Sequence, residues 1–210
     1  SPNGSDRQEI KFKDFANKKY LDDVLTDIKF SNVAWNDDKG VFYKKNSNKE
    51  FFAKDSTYQL YYHKIGDIQS KDQLVFDTSN TKSNFSFFTK QNKLFIVETS
   101  EDETTKNYYY STIENESFQF KNFIKDDKSN LELLNIINDK FYFSDEKYSW
   151  GNISYFDINN RTENTILIPQ VYSHLLVGAT FLENYIICKY DNMGKYYMSI
   201  HDYTGKFIRK

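Results

Sequence analysis

Short runs rich in aromatic and β-branched residues alternate with polar turns along almost the whole chain, and the runs come in fours. Such residues suit a pleated, half-buried surface, so each run predicts a strand. In the first full set, Asn32–Trp35 is a strand, Asn36-Asp37-Asp38-Lys39-Gly40 a turn and Val41–Lys45 the returning strand. Gly40, at the end of that turn, is expected to supply a positive φ. A looser stretch, Asn46–Ser56, precedes strands at Tyr58–Ile65 and Gln73–Asp77, joined across Gly66-Asp67. The second set reads Asn84–Thr89, Lys93–Thr99, Asn107–Ile113 and Ser117–Asn122, with a turn at Lys90-Gln91-Asn92. The third reads Leu131–Ile137, Lys140–Ser144, Asn152–Ile158 and Asn164–Ile168, with a turn at Asn138-Asp139. The fourth reads His174–Phe181, Tyr185–Tyr190, Tyr196–Asp202 and Phe207-Ile208. Upstream, Glu9–Phe15 and Asp23–Phe30 read as the two outer strands of an earlier, cut set.

The sets keep a beat. Leu60-Tyr61-Tyr62-His63 returns as Tyr108-Tyr109-Tyr110-Ser111, as Ser154-Tyr155-Phe156-Asp157 and as Ser199-Ile200-His201-Asp202, at intervals of about 45 to 48 residues. Four short strands per repeat at this period predict an all-β fold, a partial β-propeller of about four antiparallel four-stranded blades with the first incomplete. Blade boundaries fall near 1–30, 31–79, 80–127, 128–170 and 171–210. One repeat cannot bury both of its faces, so each needs a neighbour. Leu131–Ile137 also fits a helix, since Leu133 and Ile137 are four apart, and Tyr172–Thr180 is similarly ambiguous. The repeat register decides for strand in both, and Gly178 suits a crowded inner strand.

Composition narrows the reading. The chain has 210 residues, 39% hydrophobic and 28% charged, enough for a packed core and unlike a disordered segment. The 17 Tyr and 19 Phe raise the aromatic share to 18%. A net charge of −2 gives no field directed at nucleic acid or an anionic membrane, and no apolar run is long enough for a membrane helix. The single cysteine, Cys188, forbids an intrachain disulfide, which favours a reducing compartment. The expected location is cytoplasmic, with the periplasm as the alternative. Cys188 itself, in Ile186-Ile187-Cys188, is expected to pack as a small hydrophobe.

Candidate chemistry is sparse. A nucleophile elbow needs Gly-x-Ser-x-Gly, and none of the seven glycines is followed two residues later by Ser. His63, His174 and His201 are scattered, without His-Glu-x-x-His or Cys-x-x-Cys spacing. His63 and His201 fall at similar repeat phases on outer strands and read as structural or solvent-facing. The acidic pairs Asp22-Asp23, Asp37-Asp38 and Asp126-Asp127 sit at turns without a calcium-loop pattern, and no phosphate-cradling Gly-rich motif is present. No cofactor or metal is expected.

Certain segments are more specific. Phe30-Ser31-Asn32-Val33-Ala34-Trp35 with Asp38-Lys39-Gly40-Val41-Phe42-Tyr43 closely resembles a segment of the prolyl oligopeptidase family. So does Gln59-Leu60-Tyr61-Tyr62-His63-Lys64-Ile65-Gly66 followed by Gln69-Ser70-Lys71-Asp72. Gly4-Ser5-Asp6, Ile166-Leu167-Ile168-Pro169 and His201-Asp202-Tyr203-Thr204-Gly205 are similar to flanking parts of the same region. Asn46–Ser56 is shorter than the family pattern, and Tyr203 replaces a smaller or aliphatic residue.

The resemblance implies a seven-bladed propeller capping an α/β-hydrolase domain that carries Ser, Asp and His and cleaves short peptides after proline. Seven blades of about 45 residues need roughly 315, so the chain is expected to be a fragment, with the catalytic domain and its residues outside it. The cap would admit substrate and line part of the pocket. Phe30 would line an apolar subsite, and Asp6 would contact the peptidase domain. The implied partners are that missing domain and short proline-containing peptides, with no nucleic acid and no membrane. The alternative is a non-catalytic propeller that binds protein partners, although no blade carries the Trp-Asp of WD40 repeats. A sialidase-like reading fails because Ser144-Asp145-Glu146-Lys147-Tyr148-Ser149-Trp150 lacks the Gly and a correctly placed Asp. A cut ring would expose apolar blade faces and unpaired edges at both ends, so self-association is expected.

Overall fold

The structure is a computed structural model that describes residues 7–29, 31–46, 58–81, 83–129, 131–161 and 163–210, the side chain of Asp126 apart. Among the described residues the regular elements are strands and one short 3₁₀ turn, Gln69–Lys71. A two-stranded antiparallel sheet pairs β1 (Gln8–Lys13) with β2 (Tyr20–Ile28). Four four-stranded sheets follow, each a meander in which sequence neighbours pair. The first contains β3 (Val33–Asn36), β4 (Gly40–Asn46), β5 (Tyr58–Lys64) and β6 (Gln73–Asp77). The second contains β7 (Asn84–Lys90), β8 (Lys93–Thr99), β9 (Lys106–Thr112) and β10 (Lys121–Asp127). The third contains β11 (Glu132–Ile137), β12 (Lys140–Ser144), β13 (Ile153–Asp157) and β14 (Thr165–Ile168). The fourth contains β15 (Leu175–Phe181), β16 (Ile186–Asn192), β17 (Lys195–His201) and β18 (Phe207–Arg209).

The chain divides into two compact units, Ser1–Asp126 and Asp127–Lys210. In the first, two apolar clusters join successive sheets. Phe12, Leu25 and Ile28 of the leading pair pack on Val41 and Tyr43. Phe42, Leu60 and Tyr62 of the first four-stranded sheet pack with Phe85, Phe87, Leu94 and Ile96 of the second. In the second unit, Tyr142, Ile153 and Ile168 pack with Ile186, Cys188 and Tyr190. Each fully buried side chain of this size contributes roughly 1.5–3 kcal/mol of transfer free energy. Sheet thus covers sheet within each unit, and the apolar faces predicted by the repeat are spent on their neighbours.

Hairpin chemistry explains the turns. The two-residue loops Gln91-Asn92, Asn138-Asp139 and Met193-Gly194 hold both central residues at positive φ, which matches the twist of the flanking strands. The first hairpin departs from expectation. Asp37, not Gly40, takes the positive φ, at 46°. Gly40 is needed because β5 lies close: a Cβ there would fall 2.3 Å from the His63 carbonyl oxygen and 2.7 Å from the Tyr62 ring.

Two further expectations are corrected. The last strand of the second sheet is Lys121–Asp127 rather than Ser117–Asn122, because Phe118 and Phe120 leave the ladder to fill the core. Phe118 meets Phe42 and Tyr62 edge-on at 5.3 and 5.6 Å, and Phe120 meets Phe76 at 5.5 Å. Gly178 is not crowded. A Cβ would have open space there, and the residue marks a register shift between Leu176 and Gly178 in the β15–β16 ladder. The four four-stranded sheets, with the cut β1–β2 pair before them, agree with the expected partial propeller. The Leu131–Ile137 ambiguity resolves as strand, with β11 paired to β12.

Candidate functional site

Asp6 and Phe30 lie outside the described residues, as do Gly4 and Ser5. The chain on either side of Phe30 is described. β2 stops at Ile28, and Ser31-Asn32 lead into β3. The Ser31 hydroxyl accepts from the Lys44 backbone N–H at 2.7 Å, and Asn32 Nδ2 donates to the Phe87 carbonyl at 3.1 Å. Ser31 and Asn32 therefore tie the entry to β3 to both β4 and β7.

The same end of these sheets gathers buried polar groups. Lys44 Nζ donates to Asn84 Oδ1 at 3.2 Å and to the Phe85 carbonyl at 3.3 Å, and lies 4.2 Å from the Tyr58 ring centroid. Burial holds its ammonium below the ordinary lysine range. Glu98 is also buried, and its carboxylate accepts from Ser83 and Thr81 on one oxygen and from Tyr109 and Asn107 on the other. Sequence reasoning passed over both residues. The only signal was a charged residue at an inward position of a strand.

The opposite end of the first sheet holds a second cluster. His63, 1% exposed, places Nδ1 2.7 Å from Asp72 Oδ1 and Nε2 3.1 Å from Asp23 Oδ1. Tyr43 donates its hydroxyl to Asp72 Oδ2 at 2.6 Å, and the Gly66 N–H donates to Asp23 Oδ1 at 2.6 Å. Burial, then the Asp72 hydrogen bond, raises the Tyr43 phenol far above its ordinary range. The carboxylates stand on opposite sides of the ring and cannot share one cation. Among the described residues no group of three or more His, Cys, Asp or Glu is placed to hold a metal ion.

His201 of the fourth sheet stands one place before the repeat phase of His63, which Asp202 occupies there. Its Nε2 lies 2.9 Å from Ser199 Oγ and its Nδ1 3.2 Å from the Gly205 carbonyl. A carbonyl only accepts, so Nδ1 donates to it, and Nε2 and the Ser199 hydroxyl are hydrogen-bonded to each other. The pair imitates a nucleophile and its base, but Ser199 and His201 are 5% and 9% exposed, so the hydroxyl is not offered to substrate. In the second sheet the phase of His63 is Ser111, whose Oγ accepts from the Gln119 N–H at 2.8 Å. His63, Ser111 and His201 each bind the segment that follows a third strand, and both histidines are buried and structural rather than solvent-facing. Cys188 is buried in the core, and burial pushes its thiol up to about 11.

Four-stranded meanders laid face to face with a neighbour within each unit define a β-propeller class of protein. The family described as prolyl oligopeptidase, N-terminal β-propeller domain, matches residues 1–210, and the chain belongs to it. The prolyl endopeptidase of Elizabethkingia meningoseptica is 26% identical over 221 aligned residues, covering 100% of this chain and 30% of its own. That of Elizabethkingia miricola is 26% identical over 152 residues, covering 70% of this chain and 22% of its own. A solved prolyl endopeptidase superposes with a TM-score of 0.82 at 20% identity, covering 100% of this chain and 31% of that one. Prolyl oligopeptidase B from Galerina marginata, without substrate, gives 0.80 at 16% identity, covering 99% of this chain and 32% of that one. These superpositions establish the fold. The chain spans about a third or less of the length of the relatives it matches.

Proposed function

We propose that this chain is the propeller cap of a serine endopeptidase that cleaves short peptides after proline. In this reading the cap governs substrate admission and supplies one wall of the pocket. The supporting observation is the family match over residues 1–210, joined to relatives named prolyl endopeptidase. Phe30 is assigned to an apolar subsite, where an aromatic face buries peptide surface. Asp6 is assigned to a polar contact with the peptidase domain. Ser attack, assisted by His, with Asp orienting that His and backbone donors holding the oxyanion, belongs to the peptidase domain. The partners are that domain and short proline-containing peptides, and the compartment is the cytoplasm.

The test compares these 210 residues with the full reading frame that encodes them, using a fluorogenic proline peptide and a folded protein as substrates. The full protein is expected to cleave the peptide after proline and spare the folded protein, while the 210 residues alone are inactive. Phe30→Ala in the full protein is expected to raise KM several-fold, the loss of an apolar binding contact. Proline-specific turnover by the 210 residues alone, or none by the full protein, refutes the proposal.

A further inference from the structure

His63 is hydrogen-bonded by a carboxylate at each ring nitrogen while almost wholly buried. A neutral imidazole has one N–H and one lone pair. Facing two carboxylates, it can donate to only one, and its lone pair then opposes the other inside the fold. We propose that His63 is held as the imidazolium and acts as a proton-dependent staple, fastening the β1–β2 sheet to the first four-stranded sheet.

The staple crosses between elements. Asp23 comes from β2, His63 from β5 and Asp72 from the segment after the 3₁₀ turn. Phe12 of β1 stacks on the imidazole at 5.7 Å between ring centroids, covering the cluster from the leading sheet. Gln69 extends the link, since its Oε1 accepts from the Thr26 N–H at 3.1 Å and its Nε2 donates to the Thr26 carbonyl at 3.1 Å. The titratable groups facing the ring are Asp23 and Asp72, with Tyr43 of β4 one bond further, on Asp72. Neighbouring cations are engaged elsewhere: Lys64 pairs with Glu116 at 2.8 Å, and Lys71 with Asp67 at 3.6 Å. Among the described residues no other cation is shown against these two carboxylates, so the ring proton is what reconciles them.

The staple needs both ring N–H groups: with one removed, a lone pair faces a carboxylate inside the fold and the link between the sheets is lost. The β1–β2 sheet is then the part that loosens.

Asp72→Asn separates proton from contact. Asp72 uses Oδ1 for the ring and Oδ2 for the Tyr43 hydroxyl. An asparagine can donate from the first position and accept at the second, so every hydrogen bond survives with a neutral ring. The experiment is a long-range ¹H–¹⁵N spectrum of the histidine rings in the 210-residue chain at neutral pH. His63→Gln assigns the signal. Amide hydrogen exchange of β1 and β2 is then followed from neutral to alkaline pH, corrected for base catalysis. Wild type is expected to show two protonated His63 nitrogens and a roughly tenfold or larger gain in β2 opening as pH rises, the effect of one unsatisfied buried group. Asp72→Asn is expected to show one protonated nitrogen and no such gain. A neutral His63 in wild type, or equal pH dependence in wild type and Asp72→Asn, overturns the proposal.

Discussion

Replacing Gly40 with alanine tests whether β4 and β5 pack as closely as the structure shows. The added Cβ would lie 2.3 Å from the His63 carbonyl oxygen, while real Cβ contacts essentially never fall below 3.0 Å. Relief requires the β5 backbone to retreat by about 0.7 Å, and the Tyr62 ring, 2.7 Å away, must also move. Both neighbours belong to the paired sheet and to its core, so neither can swing into solvent. Overpacking of this kind costs about 1–3 kcal/mol and more where backbone must shift. A matched control is Gly66→Ala. Gly66 has a φ of 90° but open space around its missing Cβ, so the cost is conformational strain alone, about 1–2 kcal/mol. The assay is urea unfolding read by tryptophan fluorescence in a Trp150→Phe background, which leaves Trp35 as the reporter of the first unit. Expected losses are about 3 kcal/mol or more for Gly40→Ala and about half that for Gly66→Ala. A Gly40→Ala protein within about 0.5 kcal/mol of wild type would refute the packing argument.

Lys44 is disfavoured as a cation by burial, so the folded state releases its proton more readily than the unfolded chain. That penalty is present at neutral pH and relieved as pH rises toward the ordinary lysine value of about 10.4. Lys44→Met is expected to keep the fold and flatten this part of the stability–pH curve. An unchanged alkaline slope by chemical denaturation would contradict it. Cys188, buried and with its thiol raised, is expected to resist a thiol reagent at neutral pH until the second unit unfolds, and rapid native labelling would contradict its placement. Leu175, Val177, Tyr196 and Met198 are exposed on β15 and β17, so association through this face is expected in solution scattering. Val177→Lys with Met198→Lys should abolish it, and a monodisperse wild-type monomer would refute it. The leading face of the first four-stranded sheet offers no such surface, because Phe12, Leu25 and Ile28 cover it.

The repeat was legible because its signal is local and redundant. Gln73–Asp77, Lys93–Thr99 and Lys140–Ser144 coincide with β6, β8 and β12, since turn residues bound each apolar run closely. Phe118 and Phe120 misled because alternation states which side chains are apolar, not whether the backbone carrying them pairs. Gly40 misled for a similar reason: a glycine at a turn can serve conformation or clearance, and only the partner strand distinguishes them. The buried polar clusters were the least legible. The contacts His63–Asp23, Lys44–Asn84 and Glu98–Ser83 join residues well apart in sequence, and no spacing rule links them.

Every four-stranded sheet here is drawn from one uninterrupted stretch of sequence, with each strand beside the one before it. The loops to be closed are short, so the entropy lost at each step is small. During synthesis each sheet can therefore form once its own residues have left the ribosome, so that the order of translation becomes the order of assembly.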